Sequence, residues 1–461
     1  MRPVSSIRQL RYLPKSRFAL TDEQQEVKAF FSRFFLAAIF HVVLALLLYR
    51  FRPALPTVYV ILVFLVGLST LRDKTPIRLV YICTYIASAE LLWRMTKADV
   101  FWETGKYLLV LLMVLGAVRW QTRLQGIGIL YFSLLVPGVV ITLSILSFDV
   151  AQEQISFNLS GPLALAIAVA FLGGVQLNQQ QAGKMLLIGL LPVISISTLV
   201  WRSTLTAERI AFITESNFIT SGGYGPNQIS AILSLGALFS MLYLFIALPL
   251  GIRWWIIMGI SSILLLQSVL TFSRGGLLDL IFAIPAAMFF FTQNGGREMR
   301  RLLVLTVILA ILAGWAIPNL NQYTGGALQA RYEELDTTGR VQLIQADLQD
   351  WQENPIFGVG VSLSSVNRGL ILGGGYIDVA AHTEYSRLLA EHGMFGVAAI
   401  LLLVVIVLRG LRRAKTGLAK GMLAGLMVWS LVEMTHSAMR ISAVAYIFAL
   451  PIVVLSMDGD N

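Results

Sequence analysis

Apolar runs long enough to cross about 30 Å of hydrocarbon recur about fourteen times along this chain, centred near Ile39, Val63, Thr84, Leu111, Leu135, Ala168, Leu191, Phe239, Ile263, Ala286, Ile308, Leu402, Trp429 and Phe448. This feature dictates the fold class. A backbone in lipid has no water to bond, so each run folds as a helix that satisfies its own N–H and C=O groups. The expectation is an all-α, polytopic transmembrane bundle of about 14 spans, with one large loop carrying short amphipathic helices. With 57% hydrophobic and 13% charged residues among 461, and a mean hydropathy of +0.75, no stretch is left for a soluble domain of ordinary size.

The net charge of +10 would point to nucleic acid in a soluble protein, but here the basic residues sit between apolar runs, where they set orientation. With a cytoplasmic N-terminus, the inner connectors carry Arg72/Lys74/Arg78, Arg119/Arg123, Lys184, Arg253, Arg297/Arg300/Arg301 and Arg409/Arg412/Arg413/Lys415/Lys420. Arg50 and Arg94 fall on the other side. The basic tail (Arg2, Arg8, Arg11, Lys15, Arg17) is too long before the first span for an ordinary cleaved signal, and reads as a retained cytoplasmic segment beside anionic lipid headgroups. The expected organisation is a cytoplasmic tail (1–32), spans 1–11 (33–318), an outer loop (319–386), spans 12–14 (387–457) and a cytoplasmic end (458–461). Cys83 is the single cysteine, so no intrachain disulfide or cysteine metal pair forms.

The stretch from Gly339 to Gly396 is the longest break in the apolar pattern and reads as a working surface. Val341, Ile344, Leu348 and Trp351 recur at helical spacing and predict an amphipathic helix along the outer interface, stopped by Asn354-Pro355. Gly358 and Gly360 allow a tight turn, and Gly369 to Gly375 reads as a flexible gate. There is no P-loop, dinucleotide fingerprint, nucleophile elbow or zinc-helix motif. Internal repeats of the common transporter kind are also absent.

The polar residues of interest all fall on the outer side, where ATP and nucleotide sugars are not available. His382, in Ala380-Ala381-His382-Thr383-Glu384-Tyr385, is the candidate for proton transfer, because imidazole titrates near neutrality; the plainer reading is a histidine satisfied at a helix start. Arg274, before Gly275-Gly276, offers a planar fork for phosphate oxygens with glycines that admit a ligand, or else snorkels to headgroups. Arg340 opens the interfacial helix, with Arg331 and Arg368 in the same loop; together they could clamp a lipid-borne diphosphate or pair with Glu333, Glu334 and Asp336. Those three acids read as solvation rather than as a metal site. Glu391, a carboxylate entering a span, needs a partner and is expected to orient His382 or an arginine. His436 and Arg440 could line the same cavity, His392 reads as a neighbour of Glu391, and His41 as structural.

In order, Gly225-Pro226-Asn227-Gln228, Ser273-Arg274-Gly275-Gly276, Gly339-Arg340, the run Asn354 to Gly360, His382 and the run Leu389 to Gly396 resemble the O-antigen ligase and polymerase superfamily. The resemblance spans roughly Gly222 to Gly410. It implies a GT-C-like, metal-independent, inverting glycosyltransferase without cofactor, on the periplasmic face of a bacterial inner membrane. The donor would be a glycan on undecaprenyl diphosphate and the acceptor a saccharide or glycolipid such as lipid A core. Arg274 and Arg340 would hold the diphosphate and His382 would activate the acceptor hydroxyl, with Glu391, Asn227, Arg368 and Arg440 in support. Thr383 stands where the family commonly has asparagine. A polymerase of the same superfamily is the nearer alternative, and a lipid-linked oligosaccharide flippase the more distant one.

Overall fold

The computed structural model describes residues 22–456 apart from 123, 247–250, 295, 334–338 and 373–381. The basic N-terminal tail, Glu334, Asp336 and Gly373 to Gly375 lie outside the described residues. Within them the regular structure is helical except for a two-stranded parallel pair, β1 (Gln176–Asn178) and β2 (Val454–Ser456).

The first half contains α1 (Asp22–Arg50), α2 (Ala54–Thr70), α3 (Ile77–Met95), α4 (Thr104–Trp120), α5 (Gly126–Ser133), α6 (Val136–Ile145), α7 (Phe148–Leu172) and α8 (Gln179–Thr206). It is followed by α9 (Pro226–Ile246), α10 (Ile252–Leu270), α11 (Gly275–Phe291) and α12 (Gly296–Tyr323). Three short helices come next: α13 (Ala327–Glu333), α14 (Arg340–Glu353) and α15 (Leu363–Leu372). The chain returns through α16 (Glu384–Arg413), α17 (Gly417–Glu433) and α18 (Ser442–Ala449).

Among the described residues, 8 helices are long and apolar enough to cross a membrane, counting α5 and α6 as one run, and α2, α11 and α18 are shorter apolar helices. The runs centred on Thr84, Leu111 and Trp429 fall on α3, α4 and α17, which reach neither standard. α3 and α4 carry ionic groups: Glu90 and Arg94 on α3 and Lys106 on α4.

Helix α9 is buried from Ile229 to Ile246 and packs against α8, α10, α11 and α17. α1, α12 and α16 leave large apolar faces outward, including Leu36, Ile311 and Leu401, an arrangement that lipid tolerates and water does not. Close packing comes from small residues. A Cβ added at Gly421 on α17 would lie 2.4 Å from the Phe291 ring and 2.8 Å from the Ala287 carbonyl of α11. Four residues on, one at Gly425 would touch the Ala287 methyl at 3.2 Å. In lipid, where apolar burial drives little, such small faces let helices approach and gain dispersion.

The helix ends gather into two sets. At one end Arg119 Nε donates to Leu71 O (3.0 Å), Arg413 Nη2 to Gln125 Oε1 (3.2 Å), and β1 pairs with β2. At the other, Asp99 N donates to Thr57 Oγ1 (2.8 Å), Asn217 N to Thr271 O (2.9 Å) and Ser362 Oγ to Gln154 Oε1 (2.6 Å). Arg94 belongs to this second end as an interior charge. It donates to Glu90 at 2.7 Å and lies over the Trp102 ring at 4.6 Å, so its position outside the basic connectors reflects an ion pair rather than topology.

Helix α14 ends at Asn354 as the sequence predicts, but its packed face differs from the expected one. Leu343, Ala346, Asp347 and Asp350 are buried against α15 and α16, while Val341 stays exposed. Two aspartates turn inward because neighbouring helices supply their partners: Arg368 and Ser386 for Asp347, Asn367 for Asp350. The expected gate also changes, since Gly369 to Leu372 forms the last turn of α15, with Gly369 buried.

Candidate functional site

The site end is built around a break in α16. At Gly393 the backbone leaves helical geometry (φ 57°, ψ −131°), so carbonyls of the preceding turn lose their helical donors. The turn after Asn354-Pro355 replaces them: Val359 N donates to Ala390 O at 2.8 Å and Gly360 N to Glu391 O at 3.2 Å. Met394 N in turn donates to Ile356 O at 3.1 Å. Gly358 holds φ +73° with its α-carbon face against the α16 backbone, where a Cβ would lie 2.4 Å from His392 N. Two sequence motifs 30 residues apart therefore form one unit, and irregular backbone survives here because protein supplies its partners.

His382 lies just ahead of α16. Thr383 caps the helix, its Oγ1 accepting from Tyr385 N at 3.2 Å. The change from asparagine thus retains an N-cap residue. Burial first, and then Arg340, Arg440, Arg368 and His436 in that order, hold the His382 imidazole down at about 4. The ring is therefore neutral at pH 7 and sits in a cationic field.

Two groups of arginines make that field. On one flank Arg340, at the first turn of α14, is itself depressed by burial and then by Arg274 and Arg331. Arg331 is fixed through Nε to Phe272 O (3.2 Å) and Nη1 to Thr214 O (2.8 Å). Burial pushes the Tyr332 hydroxyl up to about 12, against the pull of Arg331 and Arg274. Arg274 follows Ser273, whose hydroxyl donates to Asn227 Oδ1 at 2.9 Å, so Asn227 ties the start of α9 to this turn. The glycines after Arg274 admit protein rather than ligand. A Cβ at Gly275 would lie 2.6 Å from the His436 ring, and one at Gly276 would lie 2.3 Å from Ser230 O.

On the other flank Arg440 is lowered by burial and by Arg368 and Arg387, with Glu384 opposing. Arg368 is buried, with Nε on Asp347 at 2.8 Å and Nη2 on Ser364 Oγ at 3.0 Å. Glu391 pairs with Arg387 at 2.8 Å and accepts from Ser364 Oγ at 3.2 Å, and Arg387 also pairs with Glu384. Glu391 orients an arginine the sequence reading did not single out. Arg387 escaped notice because Glu384, Arg387 and Glu391 read as i, i+3 and i, i+4 surface charges until the structure buries all three.

A third group joins His436 to two acids that the sequence reading did not single out. Asp279 on α11, Glu433 at the end of α17 and His436 place potential ligand atoms within 4.8 Å of one another. His436 Nε2 lies 3.1 Å from Asp279 Oδ1 and 3.5 Å from Glu433 Oε2. These residues can share a proton or hold a cation. Asp279 is a lone polar residue in an apolar run and Glu433 closes another, which by itself carries no signal of a partner. The acidic run looks different: Glu333 accepts from Gln329 at 2.7 Å, and its neighbours lie outside the described residues. Elsewhere His41 donates and accepts within the core, to Ala37 O and Tyr85 Oη, and is structural. His392 is buried under Gly138, and its ring nitrogens have no partner among the described residues.

No curated protein matches the chain. A family described as O-antigen ligase matches residues 259–401, just under a third of the sequence. The match runs from the middle of α10 past the Arg274 turn, Arg340, the Asn354 turn and His382 to the half of α16 beyond its break. Over that segment the chain is similar to the O-antigen ligase family, which supports a ligase- or polymerase-type function in surface polysaccharide biosynthesis.

Proposed function

We propose that this protein transfers a glycan from undecaprenyl diphosphate to a saccharide acceptor, either lipid A core or a second lipid-linked glycan, at the periplasmic face of a bacterial inner membrane. Fourteen traverses with a periplasmic loop over 319–386 accommodate this reading. The observation that carries it is the placing of a neutral imidazole, His382, within the field of arginines on both flanks. Arg274 and Arg340 hold the diphosphate, while Arg368, Arg440, Glu391 and Asn227 keep the surroundings in place.

In the reaction the acceptor oxygen attacks the anomeric carbon from the face opposite the diphosphate. The bond from that carbon to the phosphate oxygen breaks, undecaprenyl diphosphate leaves with the electron pair, and the hydroxyl proton passes to His382. The configuration inverts. Charge grows on the leaving diphosphate, so fixed guanidinium groups stabilise the transition state more than the ground state. The same charge offsets the cations that depress His382, raising its basicity when a proton must be taken. One positioned base contributes on the order of 10² to 10⁴ in rate.

The test is purified protein with labelled lipid-linked donor and each acceptor in turn. His382→Ala is expected to lower transfer by at least a hundredfold, and Arg274→Ala to weaken donor use, with both proteins still in the membrane. Normal transfer by His382→Ala would overturn the assignment of the base. Product with lipid A core marks a ligase and product with a second lipid-linked unit a polymerase.

A further inference from the structure

Beside the arginine flank lies a cavity of about 550 Å³, contiguous through Trp102, Glu103, Phe157, Asn158 and Arg387 with a second of about 140 Å³ that reaches Arg440. The larger volume falls in the range that holds a drug-sized or monosaccharide-sized ligand. Its far wall comes from the turn before α4 and from α7, outside residues 259–401.

Most of the charges on this wall are paired within the protein: Arg387 with Glu384 and Glu391, Arg368 with Asp347, and Glu103 with Lys106. Glu153 and Arg440 complete the charged lining, one of each sign, so the wall does not single out an anion or a cation. Two acceptor atoms, however, are left without a partner among the described residues: Glu103 Oε1 and Gln228 Oε1. Glu103 is 5% exposed and lines both cavities, and Gln228 lines the smaller. A buried acceptor without a donor costs about 1–3 kcal/mol. The missing partner must bring hydrogens, and a polyol brings them on neighbouring carbons.

The remaining surfaces suit the other face of a sugar. Phe157 and Trp102 give apolar walls, and Trp102 is fixed by Tyr224 stacked at 6.3 Å and by Arg94 over its ring. Gln154 and Asn158 line the same space from α7, Gln154 Oε1 accepting from Ser362 Oγ and Asn158 Nδ2 donating to Gln154 O. Arg368 lines the larger cavity and Arg440 the smaller, and both are among the charges that act on His382.

We propose that this double cavity is the acceptor subsite, taking a neutral saccharide whose hydroxyls donate to Glu103 and Gln228 and whose nucleophilic hydroxyl points toward His382. This deepens the transferase reading and rests on it for the word acceptor. Specificity for the acceptor then lies mainly in residues 101–158 and Gln228, while handling of the diphosphate lies in the family-matched segment.

Two measurements on the full-length protein in nanodiscs test it. In the transfer assay, Gln228→Leu and Asn158→Ala are each expected to raise the acceptor KM by roughly tenfold, with donor KM and kcat within about twofold. In a binding assay without donor, methyl glycosides of glucose, galactose and N-acetylglucosamine are titrated against tryptophan fluorescence. At least one is expected to change the signal of the wild type, and that change is expected to vanish in Trp102→Phe and to shift to higher concentration in Gln228→Leu. Folding of each variant is checked by its unfolding temperature, and Asn158→Ala keeps the test alive if Gln228→Leu does not fold. Unchanged acceptor KM in folded variants, with transfer intact, overturns the subsite and leaves the transferase reading standing. A glycoside signal lost in Gln228→Leu, in a protein that performs no transfer, upholds the saccharide site and overturns the transferase reading.

Discussion

The cationic field on His382 makes a quantitative demand that can be met without knowing the substrate. A shift from 6.5 to about 4 corresponds to roughly 3 kcal/mol against protonation, with burial the largest cause and Arg340 the leading charge. Replacing Arg340 by Gln keeps a polar side chain and removes that charge, so the midpoint of His382 should rise by on the order of half a unit to one unit. Diethyl pyrocarbonate acylates only neutral imidazole, and peptide mass spectrometry resolves His382 from the other three histidines. The rate of modification of His382 in the wild type should therefore stay level from pH 7 to 5 and fall near 4, whereas in Arg340→Gln it should fall at higher pH. Because the folded midpoint lies below that of the unfolded chain, the imidazole opposes folding progressively as pH drops from 6.5 toward 4. His382→Gln should remove that component of acid lability. A wild-type midpoint near 6.5, or one that Arg340→Gln leaves unmoved, would refute the convergence of the arginines on His382.

Other outcomes follow from the packing and the charges. Arg387→Met strips Glu384 and Glu391 of their buried partner and should cost about 3–5 kcal/mol, seen as a large fall in unfolding temperature or in yield. Gly276→Ala drives a methyl into the Ser230 carbonyl and should cost on the order of 1–3 kcal/mol, with Arg274 displaced. Gly259→Ala, in the interior of α10 with nothing within 4 Å of the added carbon, should be neutral or stabilising by up to about 1 kcal/mol in the same melt. Chelator treatment should leave transfer within about twofold, since guanidinium groups meet the diphosphate charge in the proposed mechanism. Loss of activity restored by a divalent cation would instead bring Asp279, Glu433 and His436 into the reaction.

The apolar runs by themselves determined that the chain is a helical membrane protein, because lipid leaves the backbone no other way to bond. They also located α14, its stop at Asn354 and the turn at Gly358, where a proline and two positive-φ glycines leave a local signature in the sequence. His382, Arg274 and Arg340 were legible as candidates because polar groups beside apolar spans are expensive and few. The tertiary structure decided the rest. Asp347 and Asp350 face inward, against the amphipathic pattern, because partners arrive from helices distant in sequence. Gly275 and Gly276 serve His436 and α9 rather than a ligand. Arg387, Asp279 and Glu433 looked like ordinary residues until folding buried them together, since the desolvation that gives a charge its importance is a property of its surroundings and not of its place in the chain.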